Sequence, residues 1–289
     1  MNGFVSVNKP TGMSSGAVVA RVKHLLPKGT KIGHAGTLDP EASGVLPIMI
    51  GKATRLFDYT TSKTKTYLVE LVPGIETDTQ DLSGAVLKKE REFTPKEVEQ
   101  ILPKFIGEIN QIPPMYSAIK VGGQRLYALA REGKQVDIAA RKVWIESIHM
   151  HGCEGSHIFL EVSCGRGTYM RTLCHDIGKA LGSAACMGSL VRTRSGPFVL
   201  SESVTLETLY ENGIEPFLLP MDTPLKSYPS ITVDENMEKT IRNGGPFALP
   251  NEGAETSQNE PTRVYMGSTF CGIVHRNADK YYFDCMLLE

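Results

Sequence analysis

The chain has 289 residues, of which 41% are hydrophobic and 22% charged, with a formal net charge of −1. This is the profile of a soluble globular protein with one large domain, or one domain and a small appendage. No apolar run approaches the ~20 residues needed to cross a bilayer, and the start Met1-Asn2-Gly3-Phe4-Val5-Ser6 lacks the basic and apolar regions of a secretion signal. A cytoplasmic location is expected, with no membrane partner. The cysteines Cys153, Cys164, Cys174, Cys186, Cys271 and Cys285 form no CxxC pair, so free buried thiols are expected and no metal site. The near-zero charge conceals an uneven distribution. Residues 1–72 carry nine Lys/Arg against four Asp/Glu, residues 111–200 eleven against six, and residues 201–289 six against fourteen. Two basic blocks and an acidic end are compatible with a local phosphate-binding face.

In chain order, residues 4–7 read as a strand. A helix capped by Ser14 or Ser15 follows, carries Val18, Val19, Val22, Leu25 and Leu26, and stops at Pro27. The run Ile32-Gly33-His34-Ala35-Gly36-Thr37-Leu38-Asp39-Pro40-Glu41-Ala42-Ser43-Gly44-Val45-Leu46 is the least ordinary in the sequence. Pro40 keeps Asp39 extended or in a turn, and the glycines permit close backbone approach, so a rigid loop presents one carboxylate beside the His34 imidazole. Taken alone, such a loop is a turn former. Residues 45–50 form a buried strand in which Pro47 favours an edge or a bulge. A helix over 54–59, a strand over 65–72 and a polar turn at 76–81 come next. Thr94-Pro95-Lys96-Glu97 is a capping box that starts a helix running through Val98, Ile101, Leu102 and Phe105.

The second basic block, Lys120, Arg125, Arg131, Lys134, Arg141 and Lys142, surrounds Tyr116 and Tyr127, and a helix carries Leu126, Leu129 and Ala130. Cations interleaved with aromatics suit a surface that tracks phosphates and stacks bases, and equally a solvated helical face. Paired strands are expected at 143–150 and 157–164. Thr168 is expected to cap a helix through Ile177 and Leu181, with a Gly-rich lead-in able to receive an anion. Residues 216–229 read as a proline-spaced linker. Residues 230–289 give a helix over 234–242, then strands at 262–266, 269–274 and 281–287, with a polar, mobile stretch at 251–261.

The string Gly33 to Leu46 closely resembles the signature of the TruB family of tRNA pseudouridine synthases. Lys9-Pro10-Thr11-Gly12, Lys65-Thr66-Tyr67, Thr77-Asp78-Thr79, Gly167-Thr168-Tyr169-Met170-Arg171 and Leu190-Val191-Arg192…Gly196-Pro197-Phe198 resemble its other motifs in the expected order, so the likeness covers about residues 3–225. It implies an α+β fold with a mixed, mainly antiparallel sheet flanked by helices (the pseudouridine synthase fold) and a small C-terminal PUA-like α/β appendage. The expected division is 1–228, with an RNA-gripping arm at about 112–142, and 229–289. It further implies that Asp39 is the essential catalytic residue and that Arg171 pairs with it. Tyr67 stacks on the flipped base and is the candidate for handling its C5 proton, Tyr169 and Leu190 wall the base, and His34 lies beside it. No cofactor or metal is implied. The expected partner is the T-arm of tRNA, with a monomer and no required protein partner, and the expected reaction is isomerisation of uridine 55. Two alternatives stay open: a family member acting on another RNA, and an RNA-folding helper.

Overall fold

The structure, a computed structural model, describes residues 1–61, 63–117, 119–121, 123–133, 136–249 and 256–288. Strand β1 (Gly3–Lys9) leads into α1 (Ser15–Lys23), whose N-cap is Ser14. β2 (Ile32–His34), β3 (Ser43–Ile50), α2 (Phe57–Thr61) and β4 (Lys65–Pro73) follow. A small hairpin, β5 (Ile75–Thr77) and β6 (Val86–Lys89), precedes α3 (Pro95–Ile101) and β7 (Gly107–Gln111). The Thr94 capping box is complete, with both of its reciprocal hydrogen bonds formed. The stretch expected to form the arm, residues 112–142, holds β8 (Lys120–Val121), β9 (Gln124–Arg125) and α4 (Leu126–Arg131). β10 (Arg141–Glu154) and β11 (His157–Cys164) make a long hairpin, and α5 (Met170–Ala180) and β12 (Ala185–Ser195) come next. β13 (Phe198–Val199) and α6 (Leu206–Asn212) close this part.

These strands form one sheet in the order β1-β3-β12-β4-β11-β10-β7, with β2 beside β3 and β13 beside β12. All pairings are antiparallel except β3 with β12. The sheet is therefore mixed and mainly antiparallel, as expected. Period-two alternation on β4 sends Lys65, Tyr67, Val69 and Leu71 to one buried face. There Tyr67, Val69 and Leu71 meet Ile158, Leu160 and Val162 of β11, Leu173 and Ile177 of α5, and Val98 of α3.

Three local expectations are corrected. Pro47 lies in an interior strand, not at an edge: β3 pairs with β1 along its whole length. Its carbonyl accepts from Ala35 N, 2.9 Å away, so its missing N–H faces the gap where the chain leaves β2, and no ladder bond is lost. Thr168 does not cap α5. Tyr169 holds the N-cap position, and the Thr168 hydroxyl turns back to Gly165 O. Residues 216–229 are no loose linker, because Phe4 and Leu219 exchange backbone hydrogen bonds and Leu225 is fully buried.

The remaining residues build a second sheet, β14 (Ser230–Val233), β15 (Thr262–Met266), β16 (Thr269–Asn277) and β17 (Lys280–Met286), in that order, with α7 (Glu238–Arg242) between its first two strands. β14 escaped the sequence reading because only four residues, paired parallel to β15, make it up. Of the stretch expected to be mobile, residues 251–255 lie outside the described residues. The second sheet shares a core with the first: Ile273, Cys285 and Leu287 pack with Phe4, Val45 and Leu56. All six cysteines are free; five are buried as expected, but Cys153, on the outer stretch of the β10–β11 hairpin, is exposed.

Candidate active site

The loop carrying Asp39 is pinned from both sides. Ser15 Oγ accepts from Leu38 N at 2.8 Å and donates to Leu38 O at 2.9 Å. Gly12 N and Lys9 Nζ both donate to Pro40 O, at 2.8 and 3.0 Å. Gly44 has φ +102°, and a Cβ there would stand 2.3 Å from Arg192 O, so this close crossing of β3 and β12 requires glycine. From β12, Arg192 Nε donates to Val45 O at 2.7 Å and its Nη2 to Gly36 O at 2.9 Å.

Asp39 Oδ2 lies 3.0 Å from Arg171 Nη2. The guanidinium is buried, its side chain 5% exposed, while Asp39 is 41% exposed and faces outward. Arg171 also donates to Tyr116 O at 2.7 Å and Thr79 O at 3.2 Å, and its Nε lies 3.8 Å from Asp81 Oδ2. Asp81 is itself held by Thr79 Oγ1 and by the backbone N–H of Ser83. A fixed fork between two carboxylates and two carbonyls orients Asp39 far better than a flexible ammonium could.

Asp39, Tyr67, Tyr169, Arg171 and Leu190 line one cavity of about 280 Å³, together with Lys65 and Arg192. Asp39 is the one carboxylate on this wall among the described residues. His34 stands outside the lining. It is half-buried, its Nδ1 has no hydrogen-bond partner, and burial followed by the Arg192 charge lowers its pKa, so it is neutral near pH 7. Burial raises the Tyr67 pKa, against the charge and hydrogen bond of Arg192, which act to lower it. Tyr169 is clamped through its backbone. Its N–H donates to Gln111 Oε1 at 3.0 Å, and Gln111 Nε2 donates to its carbonyl at 3.3 Å. Burial also raises the Tyr169 pKa.

Sequence reasoning assigned no role to Lys65, Asp81, Gln111 or Arg192. For Lys65 a signal existed: it precedes Tyr67 by two in a strand, and so shares its face. Burial first, then the neighbouring Arg192 guanidinium, bring its pKa down to about 8. Its positive charge is therefore present below pH 8 and lost as pH rises through that value. For the RNA contact that the family resemblance implies, the expected result is binding that weakens between pH 7 and 9 at constant ionic strength. In Lys65→Met binding is weaker at pH 7 and nearly flat over the same interval, and a filter-binding titration at each pH checks both. In the arm, Lys134 lies outside the described residues, and the side chains of Lys120, Arg125, Tyr127 and Arg131 are likewise not described.

No cluster of metal-ligating side chains occurs among the described residues, and no helix among them is long and apolar enough to cross a membrane.

Comparison with known proteins gives the same direction. Residues 23–170 match the TruB family pseudouridylate synthase N-terminal domain, and residues 171–226 match the tRNA pseudouridylate synthase B C-terminal domain. The tRNA pseudouridine synthase B of Clostridium perfringens strain SM101 is 42% identical over 294 residues, covering all of both chains. That of Clostridioides difficile strain 630 is 43% identical over 94% of each. A chain of a solved Cbf5-Nop10-Gar1 complex, 27% identical, superposes with a TM-score of 0.73 over 94% of this chain and 78% of that one. An H/ACA RNP bound to a substrate RNA containing 2′-deoxyuridine shares the fold at 23% identity, with a TM-score of 0.76 over 99% and 85% of the two chains. Matches to both family domains, spanning residues 23–226, and full-length relatives sharing two residues in five place the chain in the TruB family of pseudouridylate synthases.

Proposed function

We propose that the protein converts uridine to pseudouridine in tRNA, and that its target is uridine 55 in the T-loop. The observation that carries the reading is the single outward carboxylate, Asp39, held by a buried arginine at the wall of a cavity with two tyrosines. The reaction breaks the N1–C1′ bond, turns the uracil, and joins C5 to C1′; the C5 proton leaves and N1 takes one up, so the product is an isomer of the substrate. It needs one anionic group that attacks C1′ or takes a proton at C2′, and Asp39 is assigned that task. A base inside a folded loop must first be extruded, at a few kcal/mol. In this reading Tyr67, Tyr169 and Leu190 receive it, and His34, neutral and just outside the cavity, fills the place it leaves.

Tyr67 is assigned to the C5 proton as well as to stacking: its hydroxyl faces the cavity beside the Arg192 guanidinium, whose charge and hydrogen bond offset part of the burial that raises its pKa. Tyr67→Phe keeps the ring and loses the hydroxyl. Its RNA affinity should stay within about threefold while single-turnover rates drop by about 10²–10⁴. Equal turnover in the variant would leave the ring with a stacking role alone.

The reading extends to organisation. Residues 1–228 act as the catalytic unit, with an arm at about 112–142 that grips the T-arm. Residues 229–289 form a small RNA-facing unit, and the monomer works in the cytoplasm without a protein partner. The test is tritium release from a [5-³H]uridine-labelled tRNA transcript, followed by chemical mapping of the product. Release with pseudouridine at position 55 supports the whole reading. Release with the product elsewhere keeps the chemistry and removes the substrate position, and tight binding without release promotes the RNA-folding alternative.

A further inference from the structure

The face of the central sheet turned away from Tyr67 carries a second cavity, of about 540 Å³. Two of the segments that build the catalytic cavity also build this one. Along β4, Lys65 and Tyr67 reach the catalytic cavity, and Thr66 between them reaches the second. Along β12, simple alternation would send Arg194 to the same side as Arg192. The register instead shifts between them: Arg192 lies opposite Tyr67 and Arg194 opposite Thr66. This bulge re-aims Arg194 to the far face.

The floor of the second cavity is a row of hydroxyls. Thr66 Oγ1 and Ser163 Oγ are 3.0 Å apart across β4 and β11, and Ser147 of β10 is paired with Ser163. Above it stand Lys63, Arg194 and Lys226, from three separate parts of the chain, with Glu146 as the one acidic residue of the lining. Lys63 Nζ is held in place by Ser227 Oγ at 2.7 Å and by the Tyr228 ring, whose centroid is 3.9 Å away. Arg194 and Lys226 are exposed, and among the described residues neither side chain has an ion-pair or hydrogen-bond partner. Among the described residues the lining contains no aromatic and no large aliphatic side chain, so nothing there suits a base or an apolar ligand. Uncommitted cations over hydroxyl donors suit a group with several anionic oxygens, and Arg is well matched to a phosphate.

We propose that this cavity is a phosphate subsite that takes a backbone phosphodiester of the same RNA whose uridine enters the catalytic cavity. The inference rests on the RNA-modifying reading above and adds to it a contact on the reverse face of the sheet. Contacts of this kind set affinity and register without reading sequence.

The test compares wild type with the double variant Arg194→Ala/Lys226→Ala, and with a control that removes two exposed lysines elsewhere, Lys96→Ala/Lys104→Ala. The dissociation constant for tRNA is measured from 50 to 200 mM salt. The site variant is expected to bind about tenfold more weakly at the low-salt end, and its log–log salt slope should be shallower by about one. The loss should appear in KM rather than kcat, and Arg194→Lys in the same background should restore part of the slope. The control should behave as wild type. Inorganic phosphate at constant ionic strength should weaken RNA binding by wild type but not by the site variant. An unchanged slope in the site variant, or an equal loss in the control, overturns the proposal. Competition by phosphate with an unchanged RNA slope would make this a free-anion site and overturn the RNA assignment. Failure of wild type to bind or modify tRNA removes the functional reading itself. Normal wild-type activity with a site variant matching it removes only the subsite.

Discussion

Replacing Asp39 by Asn is expected to cut tritium release from labelled tRNA by about 10⁴-fold or more while leaving the tRNA dissociation constant within about threefold of wild type. The amide is isosteric, so the loop pinned by Ser15 and Lys9 keeps its shape. The nearby Arg171 retains its contacts to Asp81, Thr79 and Tyr116. What is lost is the anionic oxygen, and among the described residues no other carboxylate on the cavity wall stands ready to replace it. Single-turnover measurement at saturating enzyme separates this chemical effect from binding. A residual rate within about tenfold of wild type would show that the reaction does not depend on this carboxylate.

Arg171→Met should injure both folding and chemistry. Its guanidinium is buried against Asp39, Asp81 and two backbone carbonyls. Removing it strands the buried Asp81 carboxylate without a cation, a change that typically costs about 3–5 kcal/mol. In a protein of this size the thermal midpoint should fall by roughly 10 °C. The surviving folded fraction should turn over about 10²–10³-fold more slowly, because Asp39 is no longer held in one orientation. Arg171→Lys distinguishes the two effects: it restores a charge but not the planar fork. Stability should recover in part, by calorimetry, with turnover still depressed by at least tenfold. Full turnover in Arg171→Lys would mean that charge alone, and not the fork, is what Asp39 requires.

The residues brought together at the cavity were legible to different degrees, for physical reasons. Asp39 and Tyr67 sit in local strings whose glycines, prolines and strand alternation already constrain them, so short-range sequence points to them. Arg192 was passed over because its partners, Val45 O and Gly36 O, are 147 and 156 residues away. Asp81 read as an ordinary turn acid, since nothing within a few residues announces the arginine that comes to it from α5. Rules of local structure also failed where a distant group took over their work. Gln111, 58 residues away, holds the N–H of Tyr169, and the Thr168 hydroxyl turns back to Gly165 O instead of capping α5. Pro47 escaped the edge-strand rule because β2 ends where its N–H is missing. The segment 216–229 looked like a linker by its prolines, yet Leu219 and Leu225 supply the pairing and apolar surface that fix it to β1 and the core.

The shared core of the two sheets bears on how the chain is made. Phe4, Val45 and Leu56 wait for Ile273, Cys285 and Leu287 before their cluster is complete. Lys52 Nζ and Arg55 Nη1, just ahead of the strand that carries Tyr67, donate to the carbonyls of Leu287 and Met286. Synthesis runs from the other end, so the whole first sheet leaves the ribosome while one flank of it is still bare. That half-dressed intermediate exposes apolar surface and is the species most prone to aggregate. β17 and the residues after it thus dock late, covering a flank that the first sheet has left open.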